Sequence, residues 1–167
     1  QLEYKVSHEI LTSLYNREYF ETMMDQYDHQ INASISILVF DLDDLKKIND
    51  SYGHKVGDNL IKESAAILKS FSNGDVIASR IGGDEFAILQ LNSTPAQADS
   101  LMAAIRREID HLNNDENRLY QIHLSKGYAF GHSSIGKMED LFIEADNQMY
   151  REKKYNKTSR FAANSVK

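Results

Sequence analysis

The first third of the chain has two apolar patterns with different periods. Between Asn16 and Asn32, apolar and aromatic residues recur at helical spacing, which predicts an amphipathic helix with Asn16 as its N-cap. The next run, Ile35 to Phe40, is apolar without polar alternation, which is typical of a strand buried on both faces. The pattern therefore predicts a helix followed by a central strand.

Two consecutive helices are predicted after this strand. A short one around Asp44 to Ser51 ends at Gly53, and a longer one carries an apolar stripe from Val56 to Phe71. The dipeptide Asn73-Gly74 is expected to stop the second helix.

The second half of the chain alternates strand and helix patterns. Val76 to Ile81 and Phe86 to Leu91 predict a hairpin, and Ser93-Thr94-Pro95 predicts the start of a helix. Leu119 to Phe130 favours one or two strands with a bend at Gly127, and Met138 to Met149 favours a last helix that leads into lysines. Without strict strand-helix-strand alternation, the expected class is α+β, with antiparallel pairs and helices packed against the sheet.

Composition and charge limit the possible partners. The 167 residues suit one domain, and 41% hydrophobic and 26% charged residues are typical of a globular protein. A net charge of −6 argues against binding along a nucleic-acid backbone and favours a nucleotide ligand. No apolar run is long enough to cross a bilayer, so we expect a soluble segment without membrane contact. The absence of cysteine suits a cytoplasmic location.

Two glycines and two acids form the expected tip of the hairpin. We expect Gly82 and Gly83 to supply positive φ angles and to let a ligand approach the backbone. Asp84 and Glu85 follow directly. Such a turn also occurs as a solvated hairpin tip without chemistry, so the turn alone does not define a site.

A second acidic strand end lies upstream at Asp41, where the apolar run stops. If the two strands are neighbours, Asp41 and Asp84 converge at one edge of the sheet and form an oxygen-rich pocket suited to Mg²⁺. This juxtaposition predicts a protein that handles nucleotide phosphates.

Three segments together carry a family resemblance. They are Leu11 to Arg17 (LTSLYNR), Asp41 to Asp58 (DLDDLKKINDSYGHKVGD) and Gly82 to Phe86 (GGDEF). In this order and spacing, the chain resembles the GGDEF domain of diguanylate cyclases over nearly its whole length. The resemblance implies a palm-like, mostly antiparallel sheet, as in nucleotide cyclases and polymerases. It also implies condensation of two GTP molecules to cyclic di-GMP, with release of pyrophosphate.

The resemblance assigns the metal and catalytic residues. Asp41, the Leu42 carbonyl and Asp84 match positions that hold a pair of divalent ions, Mg²⁺ or alternatively Mn²⁺. Asp84, Glu85 and Lys46 are the candidate catalytic residues, and a carboxylate at Glu85 could assist deprotonation of the attacking hydroxyl.

The substrate contacts are also assigned by the resemblance. Asn49 and Asp58 match guanine-reading positions, where a carboxylate accepts from the N1–H and N2–H₂ donors of the base. A serine often replaces Asp58 in relatives that accept ATP, so aspartate favours GTP. The remaining candidate substrate-binding residues are Asp44, Leu45, His54, Gly82, Gly83, Lys153 and Lys157. For Asn49 and Asp58, the alternative is that they only cap or solvate helices.

The chain departs from the family pattern at several positions. Lys157 stands where arginine is usual, which removes a two-pronged phosphate contact, and Glu152 replaces a usual alanine. Lys126 replaces an apolar residue, and Glu9 replaces an aspartate.

The resemblance also implies partners and boundaries. Catalysis would need a homodimer with one GTP in each subunit. Residues 1–9 would be the end of a connecting helix from an upstream sensory or receiver domain, and residues 10–167 the GGDEF domain. Two alternatives stay open: a weak or silent module that binds GTP as a sensor or interaction domain, and a cyclase with a single-nucleotide product.

Overall fold

One antiparallel sheet organises the structure, a computed structural model that describes residues 2–165. Its strands are β1 (Ile35–Leu42), β2 (Val76–Arg80), β3 (Glu85–Leu91) and β4 (Leu124–Gly131), in the spatial order β2-β3-β1-β4. The helices are α1 (Leu2–Ser7), α2 (Arg17–His29), α3 (Leu45–Tyr52), α4 (His54–Ser70), α5 (Pro95–Asn113) and α6 (Met138–Ser165). The predicted α+β class, the hairpin and the central position of β1 are confirmed.

Helices cover both faces of the sheet. Leu38 and Phe40 of β1 enter a core shared with α4 and α5, whereas Ile37 and Val39 enter a second core shared with α2 and α6. Successive residues of a strand point to opposite faces, so a strand covered on both sides needs a nearly continuous apolar run. By the same alternation, Asp41 lies on the face covered by α2 and α6.

The hairpin turn differs from the expected one, because neither Gly82 nor Gly83 has a positive φ angle. The Arg80 guanidinium holds the turn instead, donating to the carbonyls of Gly82 at 3.2 Å and Gly83 at 2.7 Å. The amides of Ile81 and Gly82 both donate to the Glu85 carbonyl, at 2.9 and 3.3 Å. These bonds close a loop wide enough to keep ordinary backbone angles, so the prediction of positive φ was wrong.

Capping side chains set the helix starts that the sequence predicted. Asn16 Oδ1 accepts from the Tyr19 amide at 2.9 Å, and Thr94 and Gln97 form a reciprocal capping box at the start of α5. Helix α4 ends at Ser70, before the predicted Asn73-Gly74 stop. Asn73 instead accepts from the Asp75 and Val76 amides and turns the chain into β2.

The segment before β4 is irregular, although a strand was predicted from Leu119 onward. The Asn113 side chain satisfies both backbone groups of Ile122, accepting its amide at 2.8 Å and donating to its carbonyl at 2.7 Å. A side chain thus replaces a neighbouring strand as the backbone's partner, which residue propensity alone does not reveal.

Gly127 lies within β4 without the predicted bend, because pairing with β1 continues across it. A Cβ there would lie 2.2 Å from the Ala145 carbonyl oxygen and 2.5 Å from the Met149 nitrogen. Glycine at this position therefore permits close approach of α6 to the sheet.

The segment predicted to end a connecting helix contains α1, and its continuation into an upstream helix stays a prediction. Among the described residues, every helix is too short or too polar to span a bilayer.

Candidate active site

Three carboxylates converge at one edge of the sheet. Asp41 near the end of β1 pairs in register with Glu85 at the start of β3, and Asp84 comes directly before Glu85. One oxygen from each of the three lies within 4.8 Å of the others. The Leu42 amide donates to the Asp84 carbonyl at 2.8 Å, which fixes the turn acid beside β1. We call Asp41, Asp84 and Glu85 the acidic cluster.

Burial, with repulsion among the acids added to it, raises the pKa values of Asp41 and Glu85. Burial raises the pKa of Asp41 to about 6, with added repulsion from Asp84 and Glu85, while the Lys153 hydrogen bond opposes the shift. Burial also raises the pKa of Glu85, and Asp146 and Asp84 add to it. These groups are held together against their own repulsion, a cost typical of sites that bind a cation or perform chemistry.

One cation of the protein already faces this cluster. Lys153 Nζ on α6 donates to Asp41 Oδ1 at 2.9 Å. Burial disfavours the ammonium, but the bond to Asp41 and the charge of Asp84 outweigh it and raise the pKa of Lys153. A lysine whose ammonium form is favoured by its acidic neighbours therefore lies at the edge of the acidic cluster.

The donor set fits a hard divalent cation. Like charges directly opposite in a sheet destabilise it unless a cation lies nearby. Carboxylate oxygens are the ligands that Mg²⁺ and Mn²⁺ prefer. The residues predicted as metal ligands, Asp41, Leu42 and Asp84, are thus neighbours in the fold.

Asn49 and Asp58, the predicted base-reading residues, lie on the adjacent helices α3 and α4. A Cβ on Gly57 would lie 1.7 Å from Asn49 Oδ1, so the amide packs against the residue that precedes Asp58. Asn49 Oδ1 is buried and has no hydrogen-bond partner among the described residues. Asp58 is exposed. A buried acceptor without a partner is costly, and a ligand donor could satisfy it.

The other predicted residues on this helix pair surround the turn from β1. Asp44 is the N-cap of α3 in the left-handed conformation, Leu45 packs against the core, and Lys46 is exposed in the first turn. His54 is exposed at the start of α4. These positions follow the acid-bearing strand directly, and their contacts with a ligand stay a prediction.

The remaining predicted positions lie in the hairpin turn and on α6. Gly83 is exposed with open space at its Cβ position, and Gly82 would place a Cβ in ordinary contact with Glu85. Lys157 is exposed on α6 and, among the described contacts, forms no ion pair with the acidic cluster.

Several neighbours of the site were not predicted from the sequence. Asp43 is buried, and both its carboxylate oxygens accept from the Ser125 hydroxyl, at 2.8 and 2.9 Å. The charge of Asp146 raises the pKa of Glu85, and the charge of Arg17 lowers it. These residues come from distant parts of the chain. Arg17 lies in a segment that carries the family resemblance, whereas no sequence pattern singled out Asp43, Ser125 or Asp146.

The turn is also tied to the start of the chain. Arg80, which holds the turn carbonyls, forms an ion pair with Glu9 at 2.7 Å. Glu9 in turn accepts from the amide and hydroxyl of Thr12, each at 2.7 Å. Glutamate at position 9 thus links the segment before α2 to the hairpin.

A central antiparallel sheet that carries acids at a strand end and a hairpin, with helices on both faces, is the palm-like fold of nucleotide cyclases. Residues 6–159 match the family model described as diguanylate cyclase, GGDEF domain. The chain belongs to this GGDEF domain family, as its sequence motifs indicated.

Individual relatives agree with this assignment. Diguanylate cyclase A of Treponema denticola is 29% identical over 152 residues, which cover 87% of this chain and 41% of that protein. Cyclic di-GMP phosphodiesterase PdeB of Shewanella oneidensis is 31% identical over 147 residues, 87% of this chain but only 17% of that protein. The chain thus spans less than half of these relatives.

Solved structures confirm the fold. The coiled coil and GGDEF domain of DgcB from Caulobacter crescentus, in complex with c-di-GMP, superposes with a TM-score of 0.78 at 24% identity. The match covers 92% of this chain and 84% of that chain.

Proposed function

We propose that this domain is a diguanylate cyclase that converts two GTP molecules into cyclic di-GMP and two pyrophosphates. The observation that carries the proposal is the convergence of Asp41, Asp84 and Glu85 with Lys153 at one edge of the sheet. Family membership and relatives named as diguanylate cyclases add support. The relative named as a phosphodiesterase is mostly outside the matched segment, so its name does not favour a different activity here.

In each of two equivalent steps, a 3′ hydroxyl of one GTP attacks the α-phosphorus of the other. The new P–O3′ bond forms as the bond between the α-phosphorus and the bridging oxygen breaks, and pyrophosphate leaves with that electron pair. The hydroxyl proton passes to a base or to water. Since each nucleotide supplies one hydroxyl and one α-phosphate, two domains facing each other about a two-fold axis would each hold one GTP.

Asp41, Asp84 and the Leu42 carbonyl would hold the divalent metal, Mg²⁺ or Mn²⁺. Such ions stabilise the charge that develops on the attacking and leaving oxygens. Glu85, whose pKa burial raises, is suited to accept or orient the hydroxyl proton. Lys153 and the exposed Lys46 would neutralise phosphate charge.

The base would be read by Asn49 and Asp58. The buried, unpartnered Asn49 Oδ1 needs a donor, and guanine presents donors on its Watson–Crick edge. Adenine would leave the Asp58 carboxylate without its partner, which favours GTP over ATP.

A product assay tests the proposal. The domain, tethered as a dimer, is incubated with GTP and Mg²⁺, and the products are separated by chromatography. Cyclic di-GMP supports the proposal. Bound but unchanged GTP would indicate a silent binding module, and cyclic GMP a single-nucleotide cyclase.

Substitution Asp84→Ala assigns any turnover to the acidic cluster. Turnover should be abolished with the circular dichroism spectrum unchanged, whereas Asp75→Ala, at the other end of the hairpin, should retain it. Full activity of the Asp84 variant would remove this residue from the mechanism.

A further inference from the structure

The side of α6 that faces the sheet is apolar in the first half of the helix and polar in the turn that follows. Its buried residues, Met138, Leu141, Ala145 and Met149, follow helical spacing and end at Met149. The same stripe continues with half-buried polar residues, namely Glu152, Lys153 and Asn156. Apolar packing therefore fixes the first half of the helix, and polar contacts must fix the turn that carries Lys153.

Two contacts flank Lys153 on this turn. Glu152 accepts from Lys126 Nζ of β4 at 3.1 Å. Asn156 Nδ2 donates to the Ser125 hydroxyl at 3.4 Å, and Ser125 in turn donates to Asp43. Of the two, the ion pair is the shorter and the charged one, so it should be the stronger constraint.

The ion pair has a geometry suited to positioning. Lys126 lies on the edge strand β4, directly opposite Phe40 of β1. Its side chain is only 14% exposed and that of Glu152 31%, so solvent screens the pair weakly. Glu152 directly precedes Lys153, whose Nζ lies 2.9 Å from Asp41.

We propose that the Lys126–Glu152 ion pair is a positioning element that holds Lys153 at the acidic cluster. The ion pair fixes the turn of α6 that follows the apolar stripe. It thereby determines the position at which the Lys153 ammonium would contact the triphosphate. This inference rests on the proposed function, because it assigns the ammonium a role in the same site.

The departures from the family pattern at these two positions thus have one explanation. The family resemblance implies apolar residues at positions 126 and 152, and the lysine and glutamate found there are partners in the structure. Either charged residue alone would be a poorly solvated charge without a partner, whereas the two together form an ion pair between β4 and α6.

The test measures kcat, KM and the melting temperature of Lys126→Met and Glu152→Gln in the tethered dimer. Each should lower kcat by about 10-fold or more, since small displacements of a group that contacts the reacting centre cost up to about 100-fold. The matched control is Arg118→Met, which breaks an ion pair of similar burial, 12% and 33% exposed, between Glu63 of α4 and the segment before β4. The control should lower the melting temperature by a comparable amount without the loss of kcat.

Two further comparisons show whether the pair acts through Lys153. In a Lys153→Met background, Glu152→Gln should have little additional effect, because the group being positioned is gone. The reversed pair, Lys126→Glu with Glu152→Lys, should regain most of the lost kcat. If the reversed pair does not fold, the apolar pair Lys126→Ile with Glu152→Ala is measured in its place and should regain most of the lost kcat. The proposal would be overturned if the losses of kcat caused by Lys153→Met and Glu152→Gln add fully in the double variant. An equal loss of kcat in Arg118→Met would also overturn it.

The outcome can be separated from that of the proposed function. If the unsubstituted domain forms no cyclic di-GMP, the cyclase proposal fails, and the same variants are compared by calorimetry for affinity to a non-hydrolysable GTP analogue with Mg²⁺. A non-additive loss of affinity would still support the positioning role, and equal affinities would overturn it. An unsubstituted domain that neither turns over nor binds the analogue would overturn both.

Discussion

Asp41 illustrates what can be inferred for a single residue. That it meets Asp84 followed from two acids at the ends of two apolar runs, because neighbouring strands bring their ends to one edge. Its bond with Lys153 spans 112 positions, and the bond between Asp43 and Ser125 spans 82. The family resemblance had assigned Lys153 to the substrate site, but no local pattern predicts its bond to Asp41. Ser125 becomes a partner of Asp43 only once β4 is paired with β1.

The raised pKa of Asp41 predicts how stability depends on pH in the metal-free domain. The folded protein holds this proton more tightly than the unfolded chain, so the stabilising contribution is fully present below the ordinary pKa of 3.8 and is lost as pH rises through about 6. Asp41→Asn removes this dependence. Relative to the unsubstituted domain, the variant should gain about 2 kcal/mol in free energy of unfolding between pH 4 and pH 8, most of the full effect of the shift.

Urea unfolding in the presence of a chelator at several pH values checks this expectation. Asp75→Asn, an exposed aspartate outside the cluster, serves as the control and should follow the unsubstituted profile. Parallel curves for Asp41→Asn and the unsubstituted domain would show that burial of this carboxylate carries no such cost.

Asp58 carries the prediction on base choice. Asp58→Ser should reduce the preference for GTP over ATP by about 10-fold or more, because the carboxylate that pairs with the guanine donors is lost. Competition between the two nucleotides, followed by product chromatography, measures the ratio. Asp110→Ser, an exposed aspartate on α5, is the control, and an unaltered ratio for the Asp58 variant would remove it from base recognition.

At the scale of the elements, strong periodic patterns predicted the helices and the hairpin, whereas irregular backbone was not predictable. The segment 119–123 contains strand-forming residues, yet the Asn113 side chain takes up the backbone groups of Ile122. Arg80 likewise determines the turn geometry from outside the turn itself. In both places a single side chain outweighs local propensity.

The contact between β4 and α6 predicts a large effect of Gly127→Ala. The new methyl group would overlap the backbone of α6 at Ala145 and Met149, which cannot move without shifting the helix. Overpacking of this kind typically costs about 1–3 kcal/mol, and a backbone contact lies at the upper end. Chemical denaturation measures the loss, and Gly74→Ala, with open space around its Cβ position, should change stability little. Equal effects of the two substitutions would contradict the packing argument.

For the whole molecule, the proposed reaction requires two domains, because one acidic cluster serves one nucleotide. The untethered domain should therefore show a specific activity that rises with protein concentration and levels off once dimers predominate. The tethered dimer should show constant specific activity over the same range. Dilution series with product chromatography, alongside sedimentation, test this, and concentration-independent turnover by a monomer would contradict it.

The acids at the edge of the sheet and the lysine on α6 are held in place by different kinds of contact. This difference determines which positions of the sequence can change. Asp41 and Glu85 lie on hydrogen-bonded strands, and Asp84 directly precedes the second of them, so a one-residue insertion in either strand would reverse the orientation of every side chain that follows. The lysine-bearing turn of α6 is held by individual polar contacts. Replacements can accumulate there over generations when contacting positions change together, so descendants of this chain should vary in pairs that join α6 to β4, while the three acids stay the same.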